Sequence, residues 1–326
     1  MTMKMMDSYN RKITYMRISI TDRCNFRCQY CMPNGIKWVE HEKIMSYEEI
    51  LTICKIAVEK GIVNFKVTGG EPLVRAGCLG FLRKLKQMEG VQTVTITTNG
   101  YYLAEVAEEL AEIGIDGVNV SLDVLDAERF DQITGIKGGK DRVLEGIRKC
   151  MALGLKTKIN AVLLKETEDQ IIPLASLAKD NKIDIKFIEI MPVGYGRKTP
   201  GVSAKEALER LRTEWPDLKV ATKVRGNGPA IYYESRDLIG KIGLIHAVSN
   251  PFCEDCNRVR LTSQGVLKPC LCYEAGVNLG AILRSGEGVD ALREAFDRAI
   301  TEKPEAHCFS HLEKMTEHKG MSEIGG

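Results

Sequence analysis

No run of apolar residues in this 326-residue chain approaches the roughly 18 that a membrane-spanning helix needs. Its start, MTMKMMDSYNRK, lacks the apolar stretch of a secretory signal. Both absences predict a cytoplasmic protein with no membrane partner. An excess of one charge sign is missing too: 46 basic residues against 44 acidic ones leave a formal charge of +2. A general nucleic-acid binder would carry a strong basic excess, so that class is set aside and any anion site must be local. Low-complexity tracts and solenoid-type repeats are also lacking. A 44% hydrophobic and 28% charged composition suits a globular chain that buries a core.

Cysteine, by contrast, is abundant. There are 11, and in a reducing compartment clustered cysteines bind metal or do chemistry more often than they form disulfides. Cys24, Cys28 and Cys31 form one group, and Cys253, Cys256, Cys270 and Cys272 a second. Cys54, Cys78, Cys150 and Cys308 are scattered, and Cys54 and Cys150 fall in helix-like stretches where a small core hydrophobe is expected.

From residue 14 to about 215 one unit recurs: a β-rich run, a loop, an amphipathic stretch. The β runs are YMRISIT, NFKVTGG, VTITTNG, VNVSLD, TKINAVLL and IKFIEIMP. SYEEILTICKIAVEKG and LAEVAEELAEIG read as helices, the first capped by Ser46 with Glu49 three residues on and followed by Gly61. Such alternation predicts an α/β fold with a parallel sheet, either an open doubly wound sheet or an incomplete barrel. Polar or glycine residues close nearly every β run, among them Asp22, Gly70, Asn99, Asp123 and Glu189, which leans toward a barrel with its site on that rim. After breaks at VGYGRKTPGVS and VRGNGPA, the runs IYYES, KIGLIHAVS and RVRLTSQGVLKPCLC predict short antiparallel strands, and VDALREAFDRAITEK a last helix. The expected division is residues 1–225 and a smaller α+β domain over 226–326.

The first cysteine group is spaced Cys-x3-Cys-x2-Cys directly after the first β run, in SITDRCNFRCQYCMP. Three close thiolates suit an iron–sulfur cluster, whereas a structural zinc would want a fourth ligand, and none lies nearby. Three protein ligands on a four-iron cluster leave one iron open for a substrate. With Tyr30 before the last cysteine, and with VTGGEP one β/α unit later, this segment resembles the radical S-adenosylmethionine superfamily. That resemblance implies a partial (βα)6 TIM-type barrel. It also implies a [4Fe-4S] cluster whose open iron chelates S-adenosylmethionine, which on reduction yields a 5′-deoxyadenosyl radical.

The second group, spaced Cys-x2-Cys-x13-Cys with Cys272 two residues on, reads from spacing alone as zinc or a second cluster. Arg258 and Arg260 lie two apart, so on a strand they share a face and make a local anion site. FCEDCNRVRLTSQGVLKPCLC, FIEIMPVG and the terminal MSEIGG together resemble the GTP 3′,8-cyclase family of molybdenum cofactor (molybdopterin) biosynthesis, nearly end to end. The resemblance implies a second [4Fe-4S] cluster on Cys253, Cys256 and Cys270, whose open iron meets the guanine of GTP, with Cys272 a bystander.

By the same resemblance Tyr30, Gly70, Ser121 and Met191 would contact S-adenosylmethionine. Arg17, Lys66, Thr97, Lys158, Arg258 and Arg260 would bind GTP, the last two also helping in catalysis. Lys66 departs from the family, where arginine is expected. It keeps the charge and loses the planar fork. The implied reaction removes hydrogen from C3′ of GTP and joins C3′ to C8 of guanine, giving (8S)-3′,8-cyclo-7,8-dihydroguanosine triphosphate. The diglycine end would reach into the site. The resemblance further implies an electron donor of flavodoxin or ferredoxin type and handover to pyranopterin monophosphate synthase. Oligomeric state is open, a homodimer being one option. Two rivals stand beside this reading: a peptide-modifying radical enzyme with an auxiliary cluster, and a barrel scaffold with a zinc-binding module.

Overall fold

Six parallel strands in sequential order form the centre of the molecule: β1 (Tyr15–Ser19), β2 (Asn64–Thr68), β3 (Thr93–Thr98), β4 (Gly117–Ser121), β5 (Thr157–Leu163) and β6 (Asp184–Glu189). They coincide with the six β runs expected from the sequence. The computed structural model describes residues 5–35, 39–222 and 226–325. Gly326, half of the terminal diglycine, and part of the VRGNGPA break lie outside the described residues.

Helices connect the strands. The first, Tyr47–Glu59, starts as expected: Ser46 accepts from the Glu49 amide while the Glu49 side chain accepts from the Ser46 amide, a full capping box. Gly61 follows its last turn at φ 92°, a left-handed conformation that glycine adopts without steric cost. The helix buries Ile50, Ile53, Cys54, Ile56 and Ala57. Cys54, and Cys150 on helix Gly139–Ala152, are fully buried, as small core hydrophobes should be.

Burial alternates along β3 and β5. Val94 and Ile96, like Ile159 and Ala161, join the main hydrophobic core. Thr95, Thr97, Lys158 and Asn160 therefore share the opposite face. That face is concave. Lys186 on β6 is destabilised by the charge of Arg17 on β1, although five strand spacings would separate them by roughly 24 Å on a flat sheet. Lys186 also donates to Asn119 Oδ1 on β4 at 2.8 Å. The sheet curls around a polar interior, as in an incomplete barrel.

The C-terminal region differs in one respect from the expected antiparallel strands. β7 (Lys219–Val220), β8 (Ile231–Glu234) and β9 (Ile242–Ile245) extend the sheet beyond β6, with β9 parallel to it. β10 (Arg258–Leu261), β11 (Val266–Lys268) and β12 (Val277–Asn278) extend it beyond β1, with β10 parallel to it. The physical reason is that six open-barrel strands leave two unpaired edges, and the C-terminal chain satisfies both. Among the described residues the sheet thus has twelve strands, continuous across both extensions. The last long helix, Gly288–Thr301, packs as expected by burying Leu292, Ala295, Phe296, Ala299 and Ile300. Among the described residues no helix is long and apolar enough to cross a membrane.

Candidate active site

β1 and β10 run parallel and in register, with Arg17 opposite Arg260. The first cysteine triad follows the C-terminal end of β1, and Cys256 precedes the N-terminal end of β10. The two triads therefore cap opposite ends of one strand pair. Arg17, Arg258 and Arg260 lie between them.

The first triad sits in a loop pinned from several sides. Arg27 donates to the carbonyls of Cys24 and Phe26 at 2.7 and 2.8 Å. The Cys28 carbonyl accepts from the amides of Cys31 and Met32, closing a tight turn. The Gly-Gly-Glu run after β2 then clamps the loop: Gly70 N donates to Thr21 O at 2.7 Å, and Glu71 N to Arg23 O at 2.8 Å. A Cβ on Gly70 would lie 2.4 Å from Arg23 O. The close approach that requires glycine here is thus to the cluster-bearing chain itself. Glu71 is buried and accepts from Thr98 Oγ1, Asn99 N and Leu73 N. Burial pushes its carboxyl up to about 7.

Tyr30 is half-buried and donates its hydroxyl to Asp123 Oδ2 at 2.8 Å. Asp123, just past β4, accepts at its other oxygen from Val162 N, and burial pushes it up to about 6. Ser121 ends β4 opposite Asn160. Met191 follows β6 and packs against a second apolar cluster that includes Cys270 and Ile324.

A cationic layer fills the interior. Across β10, β1 and β2 the residues Arg260, Arg17 and Lys66 stand side by side in register. Burial lowers Arg17 and holds Arg260 down to about 9, with Arg17 and Arg258 adding repulsion. Lys66 is lowered well below the usual lysine range by burial and by Lys186, Arg17, Lys158 and Arg258. Lys158 is lodged against the hydroxyl of Tyr232 on β8 at 2.8 Å and against Asp184 at 3.4 Å. Thr97 faces the same interior, opposite Asn119. Sequence reasoning missed Lys186, which is 8% exposed and held down to about 7 by burial, Lys158 and Arg17. The signal was present, since Lys186 is a charge inside a β run, as are Arg17 and Lys158. Buried like charges so close are costly, and a polyanion would relieve them. The buried atoms Thr97 Oγ1 and Asn160 Oδ1 have no hydrogen-bond partner among the described residues.

At the second triad, Arg11 is buried beside Asp7 and donates to the carbonyls of Cys253, Glu305 and Pro304. Arg258 stacks on Phe252 with its guanidinium 4.8 Å from the ring centre. Arg260 donates to Gly325 O at 2.7 Å, which brings Gly325 to the interior face of β10. Cys272 is fully buried, its Sγ 2.9 Å from that of Cys308, whereas the triad is half-buried.

Both triads fit iron–sulfur clusters. Their six thiols are free and half-buried, while the other five are buried. Donors already point at the sulfurs: Phe26 N and Asn99 Nδ2 at Cys24, Ser322 N at Cys31, His307 N at Cys253. Among the described residues, no three His, Cys, Asp or Glu side chains converge as a single metal ion would require.

Two family descriptions match the chain: the radical SAM superfamily over residues 18–178 and Molybdenum Cofactor Synthesis C over 183–309. A GTP 3′,8-cyclase of Clostridium perfringens is 43% identical over 324 residues, covering 99% of this chain and all of that one. One from Alkaliphilus oremlandii is 40% identical over 329 residues, covering 99% and 100%. Among solved structures, Streptococcus suis SuiB bound to S-adenosylmethionine superposes with a TM-score of 0.66 at 18% identity, over 95% of this chain and 77% of that one. That likeness shows the fold, a radical SAM α/β architecture, and no more. Identity of this degree along the whole chain, together with both matched descriptions, shows that the protein belongs to the GTP 3′,8-cyclase family.

Proposed function

We propose that this chain is a radical S-adenosylmethionine enzyme that converts GTP to (8S)-3′,8-cyclo-7,8-dihydroguanosine triphosphate, the first step of molybdenum cofactor synthesis. The observation that carries it is the largely buried cationic layer of Arg17, Lys66, Lys158, Lys186, Arg258 and Arg260 on the inner face of the sheet whose β1–β10 pair joins the two triads. A triphosphate neutralises such a layer, and guanidinium forks fix its orientation.

When bound, the two [4Fe-4S] clusters and S-adenosylmethionine supply the electron and the hydrogen-abstracting radical. Cys24, Cys28 and Cys31 would hold one cluster and Cys253, Cys256 and Cys270 the other. Tyr30, Gly70, Ser121 and Met191 would form the cofactor's surroundings. Asp123 fixes Tyr30 through its hydroxyl, and Glu71 ties the glycine run to Thr98 and Asn99. Arg17, Lys66, Thr97 and Lys158 would orient GTP so that C3′ faces the first triad. Arg258 and Arg260 would hold charge beside the base. Placement inside the curled sheet keeps water from the reacting ribose.

A cytoplasmic location, an electron donor of flavodoxin or ferredoxin type, and transfer of product to pyranopterin monophosphate synthase belong to the same proposal. Anaerobic incubation with S-adenosylmethionine, reductant and GTP deuterated at C3′ tests it. Deuterium should appear in 5′-deoxyadenosine, and formation of that nucleoside should require GTP. A nucleoside free of deuterium refutes the assignment.

A further inference from the structure

Lys303 stands two residues beyond helix Gly288–Thr301 and is 3% exposed. Its ammonium donates to Arg258 O at 3.0 Å and to Pro269 O at 2.5 Å. An ammonium has three protons, and two of them are held by these carbonyls.

The partners come from both segments of the second triad. Arg258 follows Cys256 by two residues, and Pro269 immediately precedes Cys270. One buried side chain thus bridges the two stretches of backbone that must stay in register for three thiols to share a cluster. Two carbonyls offer no full counter-charge, and a buried cation is costly without one. Thiolates supply it.

We infer that Lys303 is a positioning residue for the second iron–sulfur site, which braces its two ligand segments and holds the cluster's reduction potential above what three thiolates alone would set. A fixed positive charge stabilises the reduced, more negative cluster, and hydrogen bonds to the sulfurs act in the same direction. This inference rests on the proposed second cluster.

The experiment uses the full chain with both clusters rebuilt anaerobically. Iron content and the potential of each cluster, followed by electron paramagnetic resonance, are compared for wild type, K303M and K303R. In K303M the second cluster should titrate at lower potential, with the first unmoved, and K303R should stay near wild type. If K303M drops the second cluster, K303R should keep it, and that also supports the assignment. K303M with both clusters at unchanged potentials overturns it, as does loss of the second cluster in K303M and K303R alike. Wild-type protein with iron for one cluster would instead refute the underlying reading of the second triad.

Discussion

Lys186 on β6 reaches Asn119 on β4 with a 2.8 Å hydrogen bond that passes over β5. The contact marks Lys186 as part of the interior charge layer rather than of the outer face. Its ammonium is held down to about 7 by burial and by neighbouring Lys158 and Arg17. A lysine lowered in this way is largely neutral above pH 7 and charged below it. A bound triphosphate favours the charged form, so GTP binding near neutrality takes up a proton. Affinity should fall as pH rises from 6 to 8.5. Replacing Lys186 with Met should weaken binding at pH 6.5 by about tenfold or more, since one pKa unit is worth about 1.4 kcal/mol. It should also flatten the pH profile. Titration calorimetry in buffers of different ionisation heat measures both the affinity and the proton uptake.

Gly70→Ala should fail at the first triad. The added Cβ would sit 2.4 Å from Arg23 O and 2.8 Å from Asp22 O, and both are backbone atoms that cannot swing aside. The loop bearing Cys24 must move, breaking the bonds from Gly70 N and Glu71 N. The variant should lose iron from the first site and keep it at the second, because Arg11 and Lys303 hold that one independently. Iron analysis with electron paramagnetic resonance of each cluster decides this. Full loading of both sites would count against the clamp.

Much of this was legible in the sequence. The six parallel strands followed from alternating β and helical periodicity, while Arg17 and Lys158 were named by resemblance and are charges inside β runs. Lys186 carries the same mark in DIKFIE, and its role depends on curvature, which no local pattern encodes. The parallel docking of β9 and β10 was hidden for a similar reason. Short C-terminal runs promise antiparallel neighbours, but the unpaired edges of β1 and β6 determine where two of them go. Gly70 was expected at the site, yet its need for glycine comes from a backbone carbonyl in a loop nearly fifty residues earlier.

Removing Gly325 and Gly326 should separate cofactor cleavage from product formation. Arg260 donates to Gly325 O, while Ile324 is fully buried and anchors the preceding turn. Loss of the last two residues frees the Arg260 guanidinium without disturbing either triad. Iron content should stay at the wild-type level. Cyclised product per 5′-deoxyadenosine should fall severalfold, a ratio read by chromatography of both products from one reaction. An unchanged ratio would show that the tail does not help to order the substrate.

Lys66→Arg tests the departure at that position from the other side. Lys66 is half-buried, and its charge is disfavoured by desolvation and by Lys186, Arg17, Lys158 and Arg258. The lysine charge is therefore less favoured than usual until an anion arrives. Arginine does not give up its proton, so the variant keeps a permanent charge in the ligand-free interior. Two opposite consequences follow. The ligand-free protein should melt lower, because the cation layer gains repulsion and a bulkier group. GTP binding should vary less with pH, because a guanidinium keeps its charge and offers a bidentate fork to phosphate. Melting temperature without ligand and GTP affinity at pH 6.5 and 8.5 measure the two effects separately. Lower stability with an unchanged pH profile would place Lys66 outside the phosphate contacts.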